Sequence, residues 1–146
     1  MKALVALTAL LTMAVVMIGA AVGGSSAVTY IGHDKVAEAL AKGGPLVKSP
    51  DISVSGAHRM KAGEPEVHEK TTHVWYVMDG SATVVTGGTL VGGKMTKPGL
   101  TKGTNIEGGQ TQVLSKGDVI VIPAGSPHWW KAVPQSINVY GVNVVK

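Results

Sequence analysis

From Ile52 onward the chain reads as short apolar runs broken by Gly, Pro and polar residues. The candidate strands are Ile52–Met60, His73–Met78, Ala82–Thr86, Thr111–Leu114, Asp118–Ile122, His128–Val133 and Ile137–Val145. Runs of this length, rich in Val and Ile and set off by turn residues, predict an all-β sandwich or barrel. One segment departs from that rhythm. In residues 34–42 (DKVAEALAK) Val36 and Leu40 stand four apart on one helical face, Asp34 can cap the start, and Gly43-Gly44 stops the helix. Residues 87–110, rich in Gly, Lys and Thr, read as a long loop, either a functional lid or a mobile connection.

The first residues follow a third pattern. Met1-Lys2 gives a basic start, residues 3–22 are apolar apart from two Thr, and Ser25-Ser26-Ala27 supplies small residues for cleavage. This is the form of an export signal, with residues 1–27 removed and residues 28–146 left as one domain. An uncleaved anchor is the rival reading, since some 20 apolar residues can span a bilayer. No charged stop follows the run, which favours cleavage. A secreted or periplasmic location follows, with no membrane attachment afterwards.

Composition narrows the partners. Thirteen Lys+Arg against nine Asp+Glu give +4, or +3 once Lys2 is removed with the leader. The basic residues are scattered, without the cluster that grips nucleic acid. There is no Cys, so neither a disulfide framework nor a thiolate metal site exists.

The chemistry concentrates around three histidines. Gly117-Asp118-Val119-Ile120-Val121-Ile122-Pro123-Ala124-Gly125-Ser126-Pro127-His128 reads as a strand, a tight turn and a His opening the next strand. It resembles the second motif of the cupins, G-x5-P-x-G-x2-H, at every specified position; the Asn that often follows is replaced by Ala132. The first cupin motif, G-x5-H-x-H-x3-4-E-x6-G, matches in part. Counting back from Gly80, the carboxylate position falls on His73, the second His on His68 and the first His on Glu66. The resemblance spans roughly residues 50–146. It implies a double-stranded β-helix, a jelly-roll-like barrel with the short helix packed outside it, and a divalent metal ion held by His68, His73 and His128. His33 and His58 have no motif support.

The residue types agree with that implication. Neutral imidazole is a common ligand for Zn, Cu, Fe and Ni, and one ion needs several converging donors. Glu66 reads either as a fourth ligand or acceptor beside an imidazole, or as an exposed turn residue after Pro65. Three uncharged ligands favour copper, which heads the affinity order for nitrogen sites, with iron or manganese next.

All three Trp flank proposed ligands: Trp75 follows His73 by two, and Trp129-Trp130 follow His128. Alternation turns Trp75 and Trp130 inward and Trp129 outward. Trp75 and Trp130 read as a platform for a substrate, or simply as core. An exported, His-only cupin with Trp at its site is similar to the copper cupins that cleave cellulose oxidatively. The expectation is therefore an exported copper oxidoreductase acting on a polysaccharide. The alternatives are a dioxygenase or isomerase for a small carbonyl compound, or a non-catalytic metal- or ligand-binding protein. The apolar C-terminal strand Ile137–Val145 suggests a homodimer.

Overall fold

A computed structural model describes residues 28–146; the expected signal segment, residues 1–27, lies outside the described residues. The first element is the expected helix, α1 (His33–Lys42). Its start differs from the expectation: Gly32 occupies the N-cap and no side chain caps it. The Gly32 carbonyl accepts from the Lys35 and Val36 amides, and Asp34 sits in the first turn. There its carboxylate still complements the positive end of the helix dipole. Ala39 is buried as α1 packs on the outside of the barrel, against β2 (Ile52–Arg59). Among the described residues no helix is long and apolar enough to cross a membrane.

Two antiparallel sheets form the body, and one strand belongs to both. The run from Thr71 to Thr86 is a single 16-residue strand, β4, where two strands separated by Asp79-Gly80-Ser81 were expected. Its first half pairs with β12 (Ile137–Val145) and β10 (Val119–Ile122). Its second half pairs with β9 (Gln110–Ser115) and β11 (His128–Ala132). Gly80 is the corner. Its φ of 78° favours glycine, and a Cβ there would run into the Ser136 carbonyl. Continuing outward, one sheet adds β2 and β1 (Gly44–Lys48) beyond β12; the other adds β3 (Glu66–His68) beyond β11.

The stretch 87–110 is not an unstructured loop. It contains β5 (Thr89–Val91), β6 (Lys94–Lys97), β7 (Leu100–Lys102) and β8 (Asn105–Glu107). Its many glycines, five of them at positive φ, make the turns between these short strands. Strand β7 pairs with β3 in the register Glu66↔Lys102 and His68↔Leu100, so this segment braces the site from one side.

The core lies between the sheets. Val77, Ala82, Val84, Leu114, Trp130, Ile137 and Val139 form one buried cluster, contributed by β4, β9, β11 and β12. These are the inward positions of alternating strands, as in Ile137, Val139 and Gly141 of β12. The fold is the all-β, jelly-roll-like barrel with a short N-terminal helix that the sequence implies.

Candidate metal centre

His68, His73 and His128 come from three strands that are neighbours in the order β4-β11-β3, and their side chains converge. His68 closes β3 and His128 opens β11. His73 is the third residue of β4, one turn of the pleat inside the strand rather than at its start. One ligand atom from each can be chosen so that all lie within 4.8 Å of one another. The rings are packed together, with centroids 4.7 Å apart for His68–His73 and 4.9 Å for His73–His128.

The turn between β10 and β11 locks this arrangement. Gly125 adopts φ 80°, and its amide donates to the His68 carbonyl at 2.8 Å, tying the turn to the end of β3. The Ala124 amide donates to Thr72 Oγ1 at 3.2 Å, and the Gly87 amide to the Pro127 carbonyl at 2.9 Å. The Pro-x-Gly spacing before His128 is thus a clamp that holds His128 against the strands carrying His68 and His73.

Tautomers follow from the neighbours. Asn143 Nδ2 donates to Ser53 Oγ at 3.1 Å, so Asn143 Oδ1 faces His73 Nδ1 at 2.7 Å and accepts its proton. His128 Nδ1 donates to the Ser126 carbonyl at 3.0 Å. Each of these rings therefore carries its proton on Nδ1 and leaves an Nε2 lone pair free. Both Nε2 atoms are buried with no hydrogen-bond partner among the described residues. Burying an unpaired polar atom costs about 1–3 kcal/mol, and here two of them sit in one cluster. A cation satisfies both atoms at once, so the donor set fits a bound metal ion.

Glu66 is the residue whose place the sequence left open. It is half-buried on β3, and its Oε1 lies 3.7 Å from both His68 Nε2 and His128 Nε2. That is too long for a hydrogen bond and is suited to donors arrayed around a common point. Burial by itself would raise its pKa, but the imidazoles of His128 and His68 outweigh burial and hold the carboxyl below the usual carboxylate range. The ionised carboxylate therefore belongs to the site, and the reading of Glu66 as an exposed turn residue is corrected. His73 is shifted as well. Burial, joined by the neighbouring His128 and His68, lowers its pKa to about 4 despite the bond to Asn143.

The profile of the cupin family matches residues 62–145, more than half of the chain. The chain belongs to the cupin family. Among solved structures it is similar to the cupin domain of Cnp3 from Schizosaccharomyces pombe, at 13% identity and a TM-score of 0.51, over 70% of this chain and 59% of that one. It is also similar to KdgF from a Halomonas species, at 20% identity and a TM-score of 0.51, over 70% of this chain and 76% of that one. A Bacillus halodurans protein aligns at 15% identity with a TM-score of 0.51, over 70% and 68%. The chain spans less than two thirds of the length of the Schizosaccharomyces pombe domain. At these identities the likeness is one of fold. No curated protein sequence matches the chain.

Within the cupin frame, Glu66 and His73 have traded chemistry, yet both side chains reach the same cluster. The exchange moves the carboxylate to another strand and keeps three imidazoles and one carboxylate together. The motif did not point to Asn143, Ser53 or the Ser126 carbonyl. Asn143 was reachable only through strand pairing, since it stands in register with His73 across β12 and β4. His58 pairs with Asn138 at 2.6 Å in the same manner, away from the cluster, and His33 is exposed on α1.

A cavity of about 230 Å³ opens onto His68 and His73 and is also lined by Trp75, Trp130 and Arg59. Trp75 and Trp130 stack with centroids 4.5 Å apart, and Trp75 lies 5.7 Å from His73. The inward placement of both follows the expected alternation. Trp130, however, is only 4% exposed, and Trp75 and Arg59 pack against it. It is a wall of the cavity and a member of the core, and offers no open platform to a polymer. Trp129 is held outside by a bond from Nε1 to the Gly63 carbonyl at 2.8 Å.

Proposed function

We propose that this cupin is an exported, metal-dependent oxidoreductase of oxygenase type that acts on a small carbonyl compound. The observation that carries the metal is the pair of buried, unpartnered Nε2 atoms on His73 and His128, beside His68. The site favours a small substrate over a polysaccharide, because Trp130 is covered and offers no face on which a sugar could stack.

The copper preference rested on a set of uncharged ligands alone. With the ionised Glu66 carboxylate 3.7 Å from two of the nitrogens, the set acquires a hard, negative donor. Mixed imidazole–carboxylate sets suit iron or manganese, so those become the proposed ions ahead of copper. When bound, such an ion would supply Lewis acidity and redox capacity for dioxygen chemistry. The chain's residues do the rest. His73 and His128 are oriented through Asn143 and the Ser126 carbonyl, Glu66 keeps a negative charge at the site, and Trp75 with Trp130 keeps water from one wall.

Metal analysis of the purified protein with an EPR spectrum tests this reading. We expect one iron or manganese per chain, and oxygen uptake with small carbonyl compounds that chelation abolishes. A tetragonal, nitrogen-rich Cu(II) signal with release of oxidised sugars from cellulose would restore the polysaccharide reading. A protein that takes up no metal would end both.

A further inference from the structure

Arg59, the last residue of β2, has a guanidinium with no protein acceptor among the described residues. It lines the cavity of the histidines and also an adjoining cleft of about 470 Å³, with Glu66 and Trp130 common to both. Among the described residues it makes no ion pair and no side-chain hydrogen bond; Glu66 acts on it only through its charge. Its neighbours are differently placed. Lys102 is occupied by Glu64 at 2.7 Å, and Lys61 is exposed.

The guanidinium is nevertheless held in position. It lies 5.1 Å over the Trp130 ring, within range of a cation–π contact. Gly63 lies beside it, since a Cβ there would come within 3.4 Å of Nη1. Gly63 is itself pinned to β11, its amide donating a hydrogen bond to the Trp130 carbonyl at 2.9 Å and its carbonyl accepting one from the Trp129 indole. A planar fork of donors, unused where two cavities share a wall, matches a planar, bidentate acceptor.

We propose that Arg59 anchors a small carboxylate substrate, gripping its carboxylate at the junction of the two cavities while the rest of the molecule lies toward His68, His73 and His128. This assigns the substrate class of the proposed oxidoreductase and rests on that reading for its consequence, while the anion site itself stands on Arg59 alone.

The test uses the full chain, stripped of metal by chelation and dialysed, in low salt so that screening does not mask the charge. Acetate and pyruvate are titrated against their methyl esters by calorimetry and by tryptophan fluorescence. We expect the acids to bind the wild type more tightly than the esters, Arg59→Lys to weaken acid binding about tenfold through loss of the bidentate fork, and Arg59→Gln to weaken it further. Ester binding should be the same in all three proteins, which a collapsed cavity would not allow. Equal binding of acid and ester, acid binding unchanged in Arg59→Gln, or a parallel loss of both ligands in both variants would overturn the proposal. Arg59-dependent acid binding in a protein that takes up no metal would keep the anion site and remove the oxidoreductase; metal uptake without acid preference would do the reverse.

Discussion

Asn143 Oδ1 lies 2.7 Å from His73 Nδ1, across a register pair that joins β12 to β4. Because Ser53 takes the Asn143 amide group, the amide cannot turn to offer a donor to the ring without losing that bond. The pair therefore fixes which His73 nitrogen faces the cavity. Asn143→Leu should weaken metal affinity by about 10–100-fold while leaving the barrel folded. A competition titration against a chromogenic chelator measures it, and affinity equal to wild type would show that His73 needs no such orientation.

Trp129 and Trp130 are adjacent in sequence and opposite in consequence. Trp130 is buried in the core cluster, so Trp130→Ala should cost about 3–5 kcal/mol and disturb the cavity. Trp129 is partly exposed, and its main fixed interaction is the indole bond to Gly63. Trp129→Phe should then cost about 1 kcal/mol. Urea unfolding of both variants decides the matter; similar losses would contradict the inward and outward assignments.

The parts of this protein that sequence revealed are those set by local chemistry. The helix, most strands of the barrel and the turn before His128 carry their own signals in periodicity, Gly and Pro. Gly80 misled for a physical reason: a positive-φ glycine normally ends a strand, but here it bends β4 from one sheet into the other without breaking it. The glycines of residues 87–110 were likewise visible, yet strands of three or four residues are too short to show alternation. Glu66 was left undecided because its setting depends on β3 pairing with β7 and β11, contacts that no local pattern records. Arg59 and Asn143 escaped for the same cause, since each matters only through residues far away in the chain.

Besides the C-terminal strand, whose Val144 and Val145 are exposed, the fold presents a second apolar surface for the expected homodimer. Strand β12 is flanked on both sides, by β2 and β4, and its Ile137 and Val139 are core residues. The apolar side chains that remain exposed include Val119 and Val121 of β10, beside Tyr76 of β4 in the register Val119↔Tyr76. Strand β10 pairs with β4 alone, so it also presents an open edge. We propose a homodimer with β10 at its centre. Light scattering at micromolar concentration should give twice the chain mass for the wild type and a single chain for Val119→Lys/Val121→Lys. A wild-type monomer sinks it.

Acid should destabilise the metal-free protein in two overlapping steps, both with the same sign. His73 has a pKa of about 4 in the folded chain against 6.5 as its ordinary value, because burial disfavours the charged ring. Between those values the unfolded chain holds a proton at this position that the folded chain does not. Stability from keeping His73 neutral is thus complete above pH 6.5 and is lost as the pH falls toward 4. Glu66 is the depressed carboxylate, with a folded pKa below its ordinary 4.5, so the unfolded chain again binds the extra proton and stability falls further below pH 4.5. The urea midpoint of chelator-treated protein should hold steady from neutral pH down to about 6.5 and then drop continuously. Glu66→Gln should remove the lower part of the drop and keep the upper, since it deletes one titrating group. His73→Gln should do the opposite. A midpoint that stays level from pH 6.5 to 4 in the wild type would mean that His73 takes up its proton in the folded state at no cost, and the buried, neutral imidazole would have to be abandoned.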